Sequence, residues 1–158
     1  MFKLKWKKMK KAIIKSEGNN YSAIEIGKFN DINQYSFPHP KLEKDIPGKL
    51  FISELIKSTG TEISIQALPA NTDIPFLHSH KEHEEIYIFL KGSGQFQVDN
   101  DLFDIQEGSI VRIAPNGKRT WRNKSDDSML LIVIQAKAES LQNYYVSDGF
   151  NANGQILR

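Results

Sequence analysis

The chain has 158 residues, a formal net charge of +2 and 39% hydrophobic residues, enough for one domain with its own core and unlike either a disordered chain or a membrane protein. Cysteine is absent, which excludes disulfides, thiolate metal sites and cysteine nucleophiles and fits a reducing, cytoplasmic compartment.

The charge is unevenly spread. Residues 1–11 hold Lys3, Lys5, Lys7, Lys8, Lys10 and Lys11 and no acid, and taking those six positive charges from +2 leaves −4 for residues 12–158. The body is mildly acidic behind a basic tail, which reads as a solvated end. Binding nucleic acid needs basic residues on the folded face itself, so no nucleic-acid partner is expected. Only Ala12, Ile13 and Ile14 follow the lysines, too short a run for a secretion signal. No stretch approaches transmembrane length, so no membrane partner is expected either. Met1 and Met9 are alternative starts.

Along the chain, helical periodicity is nearly missing and short alternating or apolar runs recur between turn signals. Ala23 to Ile26 reads as a short strand, followed by an irregular arm through Pro38, Pro40 and Pro47-Gly48. Leu50 to Ile56 and Thr61 to Leu68 read as two strands around Ser58-Thr59-Gly60. Glu85 to Leu90 is a strand rich in Ile, Tyr and Phe. Gly94 to Val98 and Leu102 to Ile105 flank Asp99-Asn100-Asp101, a tight hairpin with Asn100 as the residue expected at positive φ. Ser109 to Ala114, closed by Pro115-Asn116-Gly117, is followed by strands at Lys118 to Asn123 and Met129 to Ala138. Residues 139–158 read as a short helical turn and a loose tail. The expected organisation is a basic tail and arm at 1–48, a β-barrel at 49–138 and a C-terminal tail at 139–158. Even spacing of strands and turns predicts an all-β sandwich or barrel with well under a fifth of its residues helical.

Three of the four histidines fall in His78-Ser79-His80-Lys81-Glu82-His83, with Glu84 and Glu85 directly after. Imidazole and carboxylate suit divalent Mn, Fe, Ni or Zn when cysteine is absent. His78 and His80 are two apart, which on a strand points both rings to one face. Glu85 opens the next strand and can return to the same centre. Two His and one carboxylate leave positions open for substrate or oxygen. The period of 2 puts Glu85, Tyr87 and Phe89 on one face, with Glu84, Ile86 and Ile88 opposite.

The segment Pro75 to Gly92, with His78-x-His80, four residues, Glu85, six residues and Gly92, resembles the first motif of the cupins. Gly108 to Gly117 is similar to the start of their second motif. The resemblance covers about residues 49–137. It implies a small antiparallel double-stranded β-helix, or jelly-roll barrel, with a ligand site inside it and frequent dimerisation. It implies little about substrate, because cupins include dioxygenases, isomerases, decarboxylases, sugar-binding proteins and storage proteins.

The second motif normally supplies a fourth ligand, a histidine. Counting forward from Gly117 puts that place at Thr120, and counting back from Asn123 puts it at Arg119. Neither is histidine, so the fourth family ligand is missing. Facing inward, Arg119 would set a fixed cation near Glu85, to pair with it or to bind a substrate carboxylate or phosphate. Facing outward, it is a solvated arginine on a sheet edge. Arg112 and Arg122 read as ordinary outward residues. His39 reads as an arm residue that could also reach back as a ligand. Phe76, Tyr87, Phe89 and Trp121 are the aromatics expected to line a ligand pocket.

The function expected is therefore small-molecule binding, with a weak divalent-metal site at His78, His80 and Glu85. The alternative is a metal-dependent oxygenase or sugar-type isomerase using the same residues. A homodimer is expected, because Phe29, Tyr35 and Phe37 make the arm too apolar to hang free.

Overall fold

The computed structural model describes residues 10–39 and 44–157, so the lysines at 3, 5, 7 and 8 lie outside the described residues. In chain order the strands are β1 Ile13–Gly18, β2 Tyr21–Glu25, β3 Ser36–His39, β4 Lys44–Pro47, β5 Lys49–Phe51, β6 Glu62–Leu68, β7 His83–Lys91, β8 Ser93–Val98, β9 Asp101–Gln106, β10 Ile110–Ile113, β11 Arg119–Asn123 and β12 Met129–Lys137. Helix among the described residues amounts to a 3-10 turn at Phe29–Gln34 and one α-turn, α1, at Ser53–Ile56.

A five-stranded sheet runs β10-β7-β12-β6-β5 and a three-stranded sheet runs β11-β8-β9, all antiparallel. They share one interior. Tyr87, Phe89, Leu131 and Val133 come to it from the larger sheet, and Phe96, Ile105 and Trp121 from the smaller, which is the double-stranded β-helix expected. Alternation builds this wall: along β7, Glu85, Tyr87 and Phe89 are buried inward, while Ile86 and Ile88 turn to the outer face. Gly92 turns the chain between β7 and β8 at φ +92, and a Cβ there would lie 2.9 Å from Met129 Cα. Both the backbone angle and the close approach require glycine.

The outer face of the larger sheet is also covered. Ile32 and Tyr35 of the arm are 0% and 3% exposed, packed with Ile65, Ala67 and Leu130. Tyr35 therefore buries against its own barrel, not against a neighbour. Phe37, on the β3–β4 hairpin, packs at a tilt against Phe51 with ring centres 4.6 Å apart, and Phe29 stays 47% exposed.

Several local expectations differ from the structure. The apolar run at 50–56 is not one strand: pairing stops at Phe51 and α1 follows, ended by Lys57 at φ 56. Ser53 explains the change, since its hydroxyl accepts a hydrogen bond from Ile63 N at 2.7 Å and turns the chain there. In the β8–β9 hairpin, positive φ falls on Asp99 (φ 51) rather than on Asn100. Asp99 takes it because its carboxylate accepts from Lys118 N at 3.0 Å, which fixes the turn. Residues 139–157 form turns and irregular chain without helix. The exposed β1–β2 hairpin has no apolar alternation that would have marked β1.

Candidate functional site

The site is assembled where the smaller sheet meets the segment before β7. His78 N donates to Arg119 O at 3.2 Å and Arg119 N to His78 O at 3.0 Å, so residue 78 is bridged to β11. Asn116 N donates to His80 O at 2.8 Å, tying the second histidine to the turn before β11. Glu85 arrives from β7. His78, His80 and Glu85 then present ligand atoms that all lie within 4.8 Å of one another. His80 Nε2 is 3.1 Å from Glu85 Oε1.

The other carboxylate oxygen is held from behind. Tyr87 donates its hydroxyl to Glu85 Oε2 at 2.5 Å, and the Arg119 guanidinium forms a short ion pair with the same oxygen. Arg119 also donates from Nη1 to His78 O at 3.3 Å and to Gly117 O at 3.2 Å, and from Nε to Tyr87 Oη at 3.4 Å. It is 1% exposed, so the solvated-arginine reading is overturned. Counting back from Asn123 is the correct register, because Asn123 is itself fixed: its side-chain nitrogen donates to the carbonyls of Leu68, Pro69 and Asp127. Thr120 faces away and donates to Ile74 O at 2.7 Å.

These contacts set the protonation states. Burial opposes charge on Glu85, but the Tyr87 hydrogen bond and the Arg119 cation outweigh it and hold its carboxyl below the ordinary carboxylate range. Burial, reinforced by Arg119, lowers the His78 pKa to about 4, so its imidazole is neutral and able to ligate at neutral pH. Burial and then the Glu85 charge raise the Tyr87 phenol, which stays a donor.

The donor set fits a divalent ion. Two imidazoles and one ionised carboxylate converge, and His78 Nδ1 is buried with no hydrogen-bond partner among the described residues. Arg119 engages Oε2 and leaves Oε1 facing His80, an arrangement that orients a ligating carboxylate while drawing off part of its charge.

The remaining predicted residues are dispersed. Trp121 lies 5.9 Å from the His78 ring and 5.2 Å from Tyr87. Phe76 is 6.0 Å from His78 and 53% exposed, at the mouth. Phe89 is one rung deeper than Tyr87, packed on Phe96 in the core. His39 sits on β3 beside Phe37, outside the group that converges on Glu85. Arg112 pairs outside with Glu84 and Arg122 with Gln95, as expected. A cleft of about 330 Å³ beside Gln95, Gln97, Thr120 and Arg122 opens on the outward face of β8 and β11, away from Glu85. Lys49 was missed by the sequence reading. It has no motif around it, and only its register beside Gln66 brings it to the interior face.

The model of the cupin domain matches residues 64–135. A cupin protein from Bacteroides fragilis, of known crystal structure, is 40% identical, superposes with a TM-score of 0.63, and the match covers 66% of this chain and 89% of that one. A predicted oxalate decarboxylase from Thermotoga maritima shares the fold at 17% identity and TM-score 0.50, over 59% of this chain and 79% of that one. An uncharacterized protein of Methanocaldococcus jannaschii is 29% identical over 84 residues, 52% of this chain and 66% of that protein's length. This chain belongs to the cupin family.

Proposed function

We propose that this cupin is a small-molecule-binding protein that holds a divalent metal weakly through His78, His80 and Glu85. The observation that carries the reading is the buried Arg119–Glu85 pair at the place of the missing fourth ligand. A fixed cation beside the ligating carboxylate lowers metal affinity through repulsion and through competition for charge. Mn, Fe, Ni and Zn all suit the donor types. Such an ion would supply a Lewis-acid centre with open positions for a ligand. The chain's own contribution is to keep His78 neutral, to keep Glu85 ionised, and to exclude water from their rear with Tyr87, Trp121 and Phe96. The same open positions would serve an oxygenase or sugar-type isomerase.

Metal analysis of protein purified without a histidine tag tests this. Equilibrated with excess Mn or Zn, the chain takes up close to one ion, and His80→Ala takes up none. Uptake unchanged by His80→Ala would remove the reading.

We also propose a homodimer. Phe29 remains half-exposed on the arm, and Leu102 and Ile110 are 59% and 67% exposed on β9 and β10. Sedimentation at micromolar concentration is expected to give twice the chain mass, and a monomer there contradicts it.

A further inference from the structure

The metal-ligand group leaves part of the interior unexplained. Glu62 Oε1, Gln66 Oε1 and Trp121 Nε1 are buried and have no hydrogen-bond partner among the described residues. Buried polar groups are nearly always satisfied, so these orphaned atoms mark places that meet something else. Strand register gives their direction. Gln66 is opposite Leu131, and Ser64 opposite Val133, both residues of the inner core. Glu62, Ser64 and Gln66 therefore share the inner face of β6. Gln66 is also opposite Lys49 on β5, so Lys49 lies on that face as well.

Lys49 has no hydrogen bond or ion pair among the described residues, and its ammonium sits 5.0 Å from the Phe51 ring centre. Its register beside Gln66 turns it to the barrel interior, where its ammonium feels the Glu85 charge and acts in turn on His78. Trp121 stands on the facing wall, 5% exposed, beside the His78 ring. Arg119 cannot act as a second free cation, because Glu85, Tyr87 and two carbonyls already engage its nitrogens.

We propose that the interior between Lys49, Glu62 and Gln66 on one wall and Trp121 on the facing wall binds a small polyhydroxylated carboxylate. This rests on the small-molecule reading above and names its ligand class. Lys49 and the Trp121 indole N–H donate to the carboxylate. Glu62 Oε1 and Gln66 Oε1 accept from its hydroxyls. Lys49, offset by the Glu62 carboxylate, tolerates a monoanion better than a phosphate dianion, and two unpartnered acceptors select hydroxyl donors over an apolar body.

The test is calorimetric titration of the full chain with gluconate, glucose and inorganic phosphate, run in EDTA. Because no metal is present, failure here is read separately from failure of the metal site, which the metal analysis of His80→Ala reports. Gluconate is expected to bind, with glucose and phosphate weaker by about tenfold or more, the worth of a hydrogen bond to a charged group. Lys49→Met should weaken gluconate about tenfold or more, and Lys49→Arg should recover part of it. Gln66→Leu should weaken gluconate while raising the Tm of ligand-free protein, because it removes a buried unsatisfied oxygen. A merely structural role for Gln66 would not move those two readouts in opposite senses. Absence of gluconate binding, equal binding of glucose or phosphate, or full gluconate affinity in Lys49→Met each overturns the proposal.

Discussion

A guanidinium behind Glu85 changes what that carboxylate can do. Arg119 and Glu85 are both nearly unexposed, so each is the other's main compensation for lost hydration. Arg119→Ala should cost about 3–5 kcal/mol in urea denaturation, since it strands a buried carboxylate. Replacing both partners, as Arg119→Met with Glu85→Leu, should recover most of that loss. His78 gives a pH signature. Its pKa is lowered to about 4 by burial and Arg119, against about 6.5 when unfolded. The unfolded chain therefore binds more protons between those values, so in EDTA stability should hold above about pH 6.5 and fall toward pH 4. Glu85, also depressed, adds its loss below the ordinary carboxylate range, in the same direction. His78→Gln should flatten the slope between about pH 6.5 and 4; an unchanged slope in thermal melts across that window contradicts the assignment. The histidines and Glu85 were legible because ligand type and spacing coincide. Arg119 against Thr120 was not, because the segment is one residue short of the pattern and only the anchoring of Asn123 fixes the register.

Elements follow alternation where one face is buried and lose legibility where neither or both are. β7 is read directly from Glu85, Tyr87 and Phe89 facing in. β1 is exposed along its whole length, so nothing selects a period there. The arm's path is equally hidden, since Ile32 and Tyr35 dock on residues far along the chain. Ile32→Ala should cost about 2–5 kcal/mol, because the site is fully buried under the arm. A change near zero in chemical denaturation would mean the arm is not docked. At Gly94 a Cβ would come 1.9 Å from Arg122 O, so β8 and β11 could not pair as they do. Gly94→Ala should lower the Tm, and because β11 is bridged through its backbone to His78, it should weaken metal uptake as well.

The whole molecule is two cores on one central sheet. The outer core anchors the arm, and the inner core supports a polar end where His78, His80, Glu85 and Arg119 meet. The family resemblance made that architecture legible, but the polar wall of Glu62, Gln66 and Lys49 appears only once β5, β6 and β12 are in register. The most direct measurement is a Zn titration of the native chain, Arg119→His and Thr120→His, with tag-free protein. Because Arg119 holds the fourth-ligand place and Thr120 faces outward, Arg119→His should tighten Zn by about tenfold or more, and Thr120→His should leave it unchanged. Tight native binding that Arg119→His does not improve would contradict the weak three-ligand site.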